Sequence, residues 1–533
     1  MTSSVASALK ERTESAQETQ EETTVMTARR PGRRAVMVSA VLTQLMIVLD
    51  LTIIAIALPR MQDDLGMTVS QSPWTVTGYS LAFGGLVLFG GRLCAVVGIR
   101  RSYQVGLIGF GVASLAAGMA TSFPILLVAR VAQGCFGALL APTSQSLLNV
   151  TFTERTERER VFAIFGATGG LGAAVGLLVG GALTDWISWR WALYINILLA
   201  TAALLIGQRS LPPADQRDRS SRITDDLTGL VLGCGACFSA VYGLDRAQQT
   251  SWTSTSTVSW LALGGIAAVL FVVRERFANR PVLPLSMMAL PVRAASYATQ
   301  FIAGAAQMGA IIYLTYYMQN HFGYSPFKSG VVFLPMVLSL IATAIPAGRV
   351  IVPRLGARGT LPLGLAVLTG SFLIFSRMTT QSSYSQVALP GLIVFGIGLG
   401  LTMPVTFNSG TRGVDAKRTG LASAILSAAQ QIGGSFGVAL MTSYATQHAE
   451  DYVTEHSEEV RAAAMEAMMR AQTLPQSPAG KQIIEALKAQ LVDRAQLEAY
   501  AGGFTMMAWI LAGAGAALVA CGIAVNVRRR RTR

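Results

Sequence analysis

Long apolar runs alternate with short polar connections along most of the chain, and the runs define its elements. A helix needs about 20 apolar residues to cross a hydrocarbon core of about 30 Å. Runs of that kind fall at 36–58, 74–95, 103–121, 124–148, 160–184 and 190–208. Others follow at 226–246, 256–275, 295–319, 327–349, 359–377, 386–408, 418–445 and 504–526. The pattern predicts an all-α polytopic membrane protein with about 14 transmembrane helices. The first run, Val36 to Pro59, reads VMVSAVLTQLMIVLDLTIIAIALP and holds a single acid, Asp50. A carboxylate at that depth costs free energy, and acids retained there mark ion or substrate pathways.

The polar connections carry a second pattern. Alternate ones are basic: Arg100 and Arg101; Arg155, Arg158 and Arg160; Arg209 to Arg222; Arg274, Arg276 and Arg280; Arg354 and Arg358; Arg412, Lys417 and Arg418. The connections between them, such as 120–123 and 379–385, are poor in Lys and Arg. The basic set is therefore expected in the cytoplasm. An even number of spans puts the terminal Arg528 to Arg531 run on the same side as Arg29, Arg30, Arg33 and Arg34. This predicts a multi-pass protein of the cell (plasma) membrane with both termini cytoplasmic. Residues 1–35, rich in Ser, Thr, Glu and Gln, read as a disordered cytoplasmic tail, and 527–533 as a basic one. The first run is too long for a signal-peptide core, so the first helix is expected to stay in the mature protein.

One outer connection, 446–503, is long. It has an acidic stretch, Glu450 to Glu459, followed by VRAAAMEAMMRAQ and IIEALKAQLVDRAQLEAY, with apolar residues at three and four spacing. It predicts two amphipathic helices on the outer surface, acting as a cap or as a lid. A weak repeat relates GRLCAVVGIRRS (91–102) to GRVIVPRLGARG (348–359), each where a helix meets a basic loop. Parallel repeats are the arrangement of rocking two-bundle transporters. The expected layout is a six-helix bundle over 36–208, a linker with two additional helices over 209–294, and a second six-helix bundle over 295–526.

Composition narrows the class. The chain of 533 residues is 52% hydrophobic and 13% charged, with a mean hydropathy of +0.48, which excludes an ordinary soluble enzyme. A formal net charge of +14 would suit nucleic acid, but the basic residues sit in short loops, where they set orientation instead. The five cysteines, Cys94, Cys135, Cys234, Cys237 and Cys521, lie in or beside apolar runs, so no disulfide framework, metal site or cofactor is expected. GATGGLG (166–172) follows no strand, and no GxxxxGK[ST] occurs, so ATP is not expected to drive the protein. His321, His448 and His456 fall at or beyond the outer boundary.

Several stretches together carry a family likeness. Leu49-Asp50-Leu51-Thr52-Ile53-Ile54 through Ala57-Leu58-Pro59 resembles the first-helix LDxTI…ALP signature of the fourteen-helix drug:proton antiporters of the major facilitator superfamily. Arg130-Val131-Ala132-Gln133-Gly134 with Gly137-Ala138 resembles its RxxQGxGA motif. Gly172, Gly176, Gly180 and Gly181 resemble its antiporter motif, and Trp189-Arg190-Trp191 with Ile195-Asn196 its WRWxFxIN run. Gly323-Tyr324-Ser325-Pro326 and GLASAILSAAQQIGGSFG (420–437) look like segments of its second half. The likeness covers about 36–445. Three positions depart from it: Ala95 replaces the loop acid after helix two, Leu177 stands where the antiporter motif has Pro, and Leu198 stands where the helix-six run has Pro.

The resemblance implies the major facilitator fold, no enzymatic activity, and proton-coupled export of amphipathic drugs or antibiotics. Proton-linked or facilitative uptake of a small nutrient is the alternative on the same fold. Its implied partners are an amphipathic small molecule, protons and the lipid bilayer, with no nucleic acid and a monomeric chain. The residues agree in kind. Asp50 in a low-dielectric wall can load and release a proton as water access alternates, and Arg130, which cannot lose its charge, needs a partner or a polar cavity. Gln133 lies one turn from Arg130 and can share that cavity. Glycines at i, i+4 and i+8 in helix five give a flat strip for close helix packing, and the resemblance makes it a sliding seam between halves. Tyr313, Tyr316, Tyr317 and Met318 line either a greasy substrate cavity or a lipid face. Asp245 and Arg246 read as interfacial.

Overall fold

The computed structural model describes residues 30–531 except 69, 209, 212–226, 279–280, 282, 284, 289, 380, 413, 415–418 and 471–477. The tail over 1–29, most of the link after 208, Lys417, Arg418 and the last two residues lie outside the described residues.

The described chain is helical throughout. The first helices are α1 (Arg30–Leu65), α2 (Trp74–Val97), α3 (Ile99–Gly118), α4 (Phe123–Thr151), α5 (Arg155–Trp186) and α6 (Trp189–Gly207). The inserted pair is α7 (Leu227–Gln249) and α8 (Thr255–Phe277). Then come α9 (Pro291–Tyr316), α10 (Pro326–Val332), α11 (Leu334–Pro346), α12 (Val352–Phe375), α13 (Leu389–Thr411), α14 (Thr419–Arg470) and α15 (Pro478–Arg531). Each run expected to span falls on a helix, with α10 and α11 sharing one run. Ten stretches among the described residues are long and apolar enough to cross a membrane, and one of them, Pro326–Phe375, covers two expected spans.

Local chemistry sets several boundaries. Ser188, Ser254 and Ser325 accept backbone hydrogen bonds at the starts of α6, α8 and α10, and Pro326 occupies the first turn, where its missing N–H costs nothing. Gly98, at φ 98°, turns the chain sharply between α2 and α3, a conformation that favours glycine. The segment 446–503 corrects the sequence expectation. Its helices are not separate surface pieces: α14 and α15 run on through it, 52 and 54 residues long. Leu491, Ala495 and Ala499 are buried there and Tyr444 rests on Gly502, whereas Met465 and Val492 are exposed.

Within the first six helices, α1 packs on α5 and α6, α2 on α4, and α3 on α4 and α6. Within the second set, α9 to α15, α9 packs on α14, and α13 packs on α11 and α12, with α15 beside α12. Lipid tails are as apolar as the side chains, so these contacts rest on close packing between small residues. Two seams join the sets, α2 against α14 and α5 against α10. At one end of the molecule they are tied directly. Tyr316 Oη donates to Gln62 Oε1 at 2.6 Å and sits 2.7 Å from Ser72 Oγ, and Gln319 Nε2 donates to the Ile56 carbonyl at 2.9 Å. Trp186 meets Phe327 nearby, with ring centroids 5.0 Å apart.

The inserted pair lies at the first seam, because α7 packs on both α2 and α14. Here the structure adds a contact to the helix-end position of Asp245. It is 5% exposed and accepts from Trp74 Nε1 at 2.8 Å, at the start of α2. Helix-end position alone did not reveal that a neighbouring helix covers it.

Candidate functional site

Asp50 lies in the middle of α1, fully buried, and its carboxylate is held from two other helices. Oδ2 accepts from Arg130 Nη1 at 2.6 Å, and Oδ1 accepts from Asn196 Nδ2 at 2.6 Å and Gln133 Nε2 at 3.3 Å. Arg130 and Gln133 are three residues apart on α4, so both project toward α1 from one face. Arg130 Nη1 also donates to Gln133 Oε1 at 2.9 Å, and Nε donates to the Thr75 carbonyl of α2 at 3.0 Å. Its guanidinium lies 4.6 Å from the centroid of the Tyr79 ring. Gln133 Nε2 donates in turn to Ser114 Oγ of α3 at 2.7 Å.

Five of the first six helices thus meet at one ion pair. Taking two charges out of water costs several kcal/mol per ion, so such a pair survives only with good geometry and further hydrogen bonds. The three donors on Asp50 and the carbonyl, amide and ring around Arg130 supply them. Three atoms of the cluster, Arg130 Nη2, Asn196 Oδ1 and Tyr79 Oη, are buried and make no hydrogen bond to the described residues. The set therefore keeps both a donor and an acceptor in reserve.

The α5 glycines pack where sequence alone did not place them. A Cβ at Gly172 would meet Leu45 and Val48 of α1, one at Gly176 would collide with Thr52 Oγ1, and one at Gly180 would lie 2.9 Å from the Ile53 Cα. These three form a seat for α1 within the first half. Only Gly181 turns to the second half, where a Cβ would lie 2.6 Å from the Pro326 carbonyl oxygen. Gly330 of α10 in turn packs on the Leu177 carbonyl. The α5–α10 seam thus has Leu177 and Gly181 on one side and Pro326 and Gly330 on the other.

The residues expected to line a substrate cavity are not brought together. Gln133 is fully buried in the Asp50 cluster. Tyr313 is buried in the second half, where its hydroxyl donates to Thr442 Oγ1 at 2.9 Å and its ring meets Tyr500 at 5.2 Å. Tyr317 is buried too, stacked against His321 and donating to the Thr379 carbonyl at 3.4 Å. The second half has its own polar contacts. Thr406 Oγ1 donates to Gln300 Oε1, and Gln430 Nε2 donates to Gln307 Oε1 at 3.3 Å between half-buried side chains.

Among the described buried acids, Asp50 sits in the middle of a helix, whereas Asp245 and Glu275 lie near helix ends. Ser114 and Tyr79 went unremarked in the sequence, and Asn196 was noticed only inside a longer run. Each is an uncharged polar residue within an apolar helix, a signal too common to single out without the contact.

A second polar group fixes the far end of α1. Asp64 accepts from Arg190 Nη1 at 2.6 Å and from Trp189 Nε1 at 2.9 Å. Arg190 also donates to the Ala120 carbonyl at 3.2 Å. The Arg190 bond, followed by the Trp189 bond, holds the Asp64 carboxyl below its ordinary value of 3.8. This clamp ties α1 to α6 six residues before Asn196 and so sets the height at which Asn196 meets Asp50.

Comparison with known proteins places this architecture. The Major Facilitator Superfamily profile matches residues 40–438. Puromycin resistance protein pur8 of Streptomyces alboniger is 39% identical over 416 residues, covering 78% of this chain and 82% of its own. Cephamycin export protein CmcT of Amycolatopsis lactamdurans is 33% identical, covering 76% and 83%. The tetracenomycin C resistance and export protein of Streptomyces glaucescens is 32% identical, covering 74% and 73%. Among solved structures, a bacterial homologue of the human lysosomal transporter Spinster, inward-facing and unoccupied, superposes with a TM-score of 0.59 at 14% identity, covering 92% of this chain and 98% of that one. That likeness is one of fold.

Proposed function

Since the chain belongs to the major facilitator superfamily, whose members are transporters rather than enzymes, we propose that it exports amphipathic drugs or antibiotics across the cell membrane in exchange for protons. The observation that carries this reading is the fully buried Asp50, held by Arg130, Asn196 and Gln133 in the middle of the first helix. An ionisable group at that depth, with polar partners on two other helices, suits proton loading and release. The relatives are named for puromycin, cephamycin and tetracenomycin C, which supports a drug-like cargo. The scarcity of charge elsewhere in the apolar helices favours an apolar or cationic compound over a multiply charged one.

Movement is read as alternating access. The ties through Tyr316, Gln319 and Gly181 close one end, and the Lys and Arg pattern of the loops makes that end the outer one, with both termini cytoplasmic. Releasing cargo outward then requires these ties to part while the opposite end closes. The unit of function is taken to be the monomer. Tyr313 and Tyr317 remain proposed for the cargo path through rearrangement of the second half. The test is a drug-susceptibility and accumulation panel in an efflux-deficient host. Expression should raise resistance to one or more amphipathic compounds and lower their accumulation, and an uncoupler should abolish both effects. Increased accumulation would instead indicate uptake.

A further inference from the structure

Among the described residues the Asn196 side chain makes one hydrogen bond, from its Nδ2 to Asp50 Oδ1 at 2.6 Å. It is fully buried, and its own Oδ1 makes no hydrogen bond to the described residues. Those facts matter because the two protonation states of Asp50 have opposite needs. A carboxylate only accepts, whereas a protonated carboxyl carries one O–H that must donate. An O–H buried there without an acceptor costs the desolvation of that group.

The neighbours differ in their ability to accept it. Arg130 has no acceptor atom. Gln133 is committed through Oε1 to Arg130 Nη1, so turning its amide over would break that bond and set two donors against each other. Tyr79 of α2, with Arg130 the other ionisable group near the carboxyl, lies under the guanidinium with its ring, and Gly172 and Gly176 of α5 pack on Leu45, Val48 and Thr52 of α1. Asn196 is different. Its terminal torsion has a two-fold profile, and a half-turn exchanges Nδ2 for an unused Oδ1 while breaking only the bond being exchanged.

We propose that Asn196 is the positioning residue that lets Asp50 hold a proton: its amide donates to the charged carboxylate and, turned over, accepts from the protonated one. In the step, a proton from water joins Asp50 Oδ1, the new O–H donates to Asn196 Oδ1, and release reverses both. Arg130 then keeps Gln133 Oε1, the Thr75 carbonyl and the Tyr79 ring when the charge across from it is neutralised. The inference rests on the reading of Asp50 as a proton carrier.

Infrared difference spectra of the purified full chain in lipid, between alkaline and acidic pH, test it without any cargo. The wild-type protein should show a protonated-carboxyl band that is lost in Asp50→Asn. In Asn196→Leu, similar in size but with no polar atom, that band should move to higher frequency as the O–H loses its acceptor. With asparagine side-chain carbonyls isotope-labelled in the wild-type chain, acidification should move one amide band to lower frequency, and Asp50→Asn should lack that change. The labelled experiment still decides if Asn196→Leu fails to fold. An unchanged amide band, or a carboxyl band unmoved by Asn196→Leu, overturns the role of Asn196. Absence of any band dependent on Asp50 overturns the underlying proton reading instead.

Discussion

Arg130 Nη1 lies 2.6 Å from Asp50 Oδ2, and neither side chain is exposed at all. The pair joins α1 to α4 across 80 residues of sequence, and each charge is tolerated because the other is there. Removing one partner of a buried pair strands the other, typically at a cost of about 3–5 kcal/mol. Arg130→Gln alone should therefore lower the thermal stability of the purified protein more than Asp50→Asn combined with Arg130→Gln does. Unfolding of both variants in detergent checks this. Equal stability of the single and double variants would mean that the pair is not the source of the loss.

The clamp at the end of α1 has a pH signature. Hydrogen bonds from Arg190 and Trp189 hold the Asp64 carboxyl below 3.8, so its contribution to stability is present above that value. It is lost as pH falls through the lower, folded value, because protonation then removes the acceptor. Melting temperature followed from neutral to acidic pH should fall more steeply for the wild type than for Asp64→Asn in that window, with the two curves parallel above it. The group is half-exposed, so the difference should be small.

Most of the helical layout was legible because a membrane leaves few options for the backbone: every run of sufficient apolar length becomes a helix. Asp50 and Arg130 stood out for the same reason, as charges where charge is costly. What sequence could not give was which uncharged side chains meet them. Asn196 follows the Trp189-Arg190-Trp191 turn at ordinary helical spacing, and only the packing of α6 on α1 turns it toward the carboxylate. The glycines of α5 illustrate another limit. Their spacing announces close packing, but not that Gly172, Gly176 and Gly180 seat α1 in the same half while Gly181 alone touches the other. The segment 446–503 shows a third, since amphipathic periodicity reads the same in a separate surface helix as in the continuation of a spanning one.

Those glycines are unequal by position, and substitutions should show it. At Gly172 a methyl group would meet the flexible end of Leu45 at 3.2 Å, whereas at Gly180 it would meet the α1 backbone at Ile53. Gly172→Ala should be tolerated, while Gly180→Ala should destabilise by about 1–3 kcal/mol, as overpacking typically does. Gly181→Ala should instead loosen the seam with Pro326, and thiol labelling of Gln62→Cys should rise in that background as the closed end opens. Similar melting temperatures for Gly172→Ala and Gly180→Ala would contradict the backbone contact.

The central claim is that Asp50 couples cargo to protons, and transport in proteoliposomes with an imposed pH gradient tests it most directly, using a compound to which expression confers resistance. Asp50→Asn keeps the shape and the polar partners but cannot carry a proton. It should abolish uphill movement driven by the gradient, while exchange of the compound down its own gradient continues. Full uphill transport by Asp50→Asn would contradict the account.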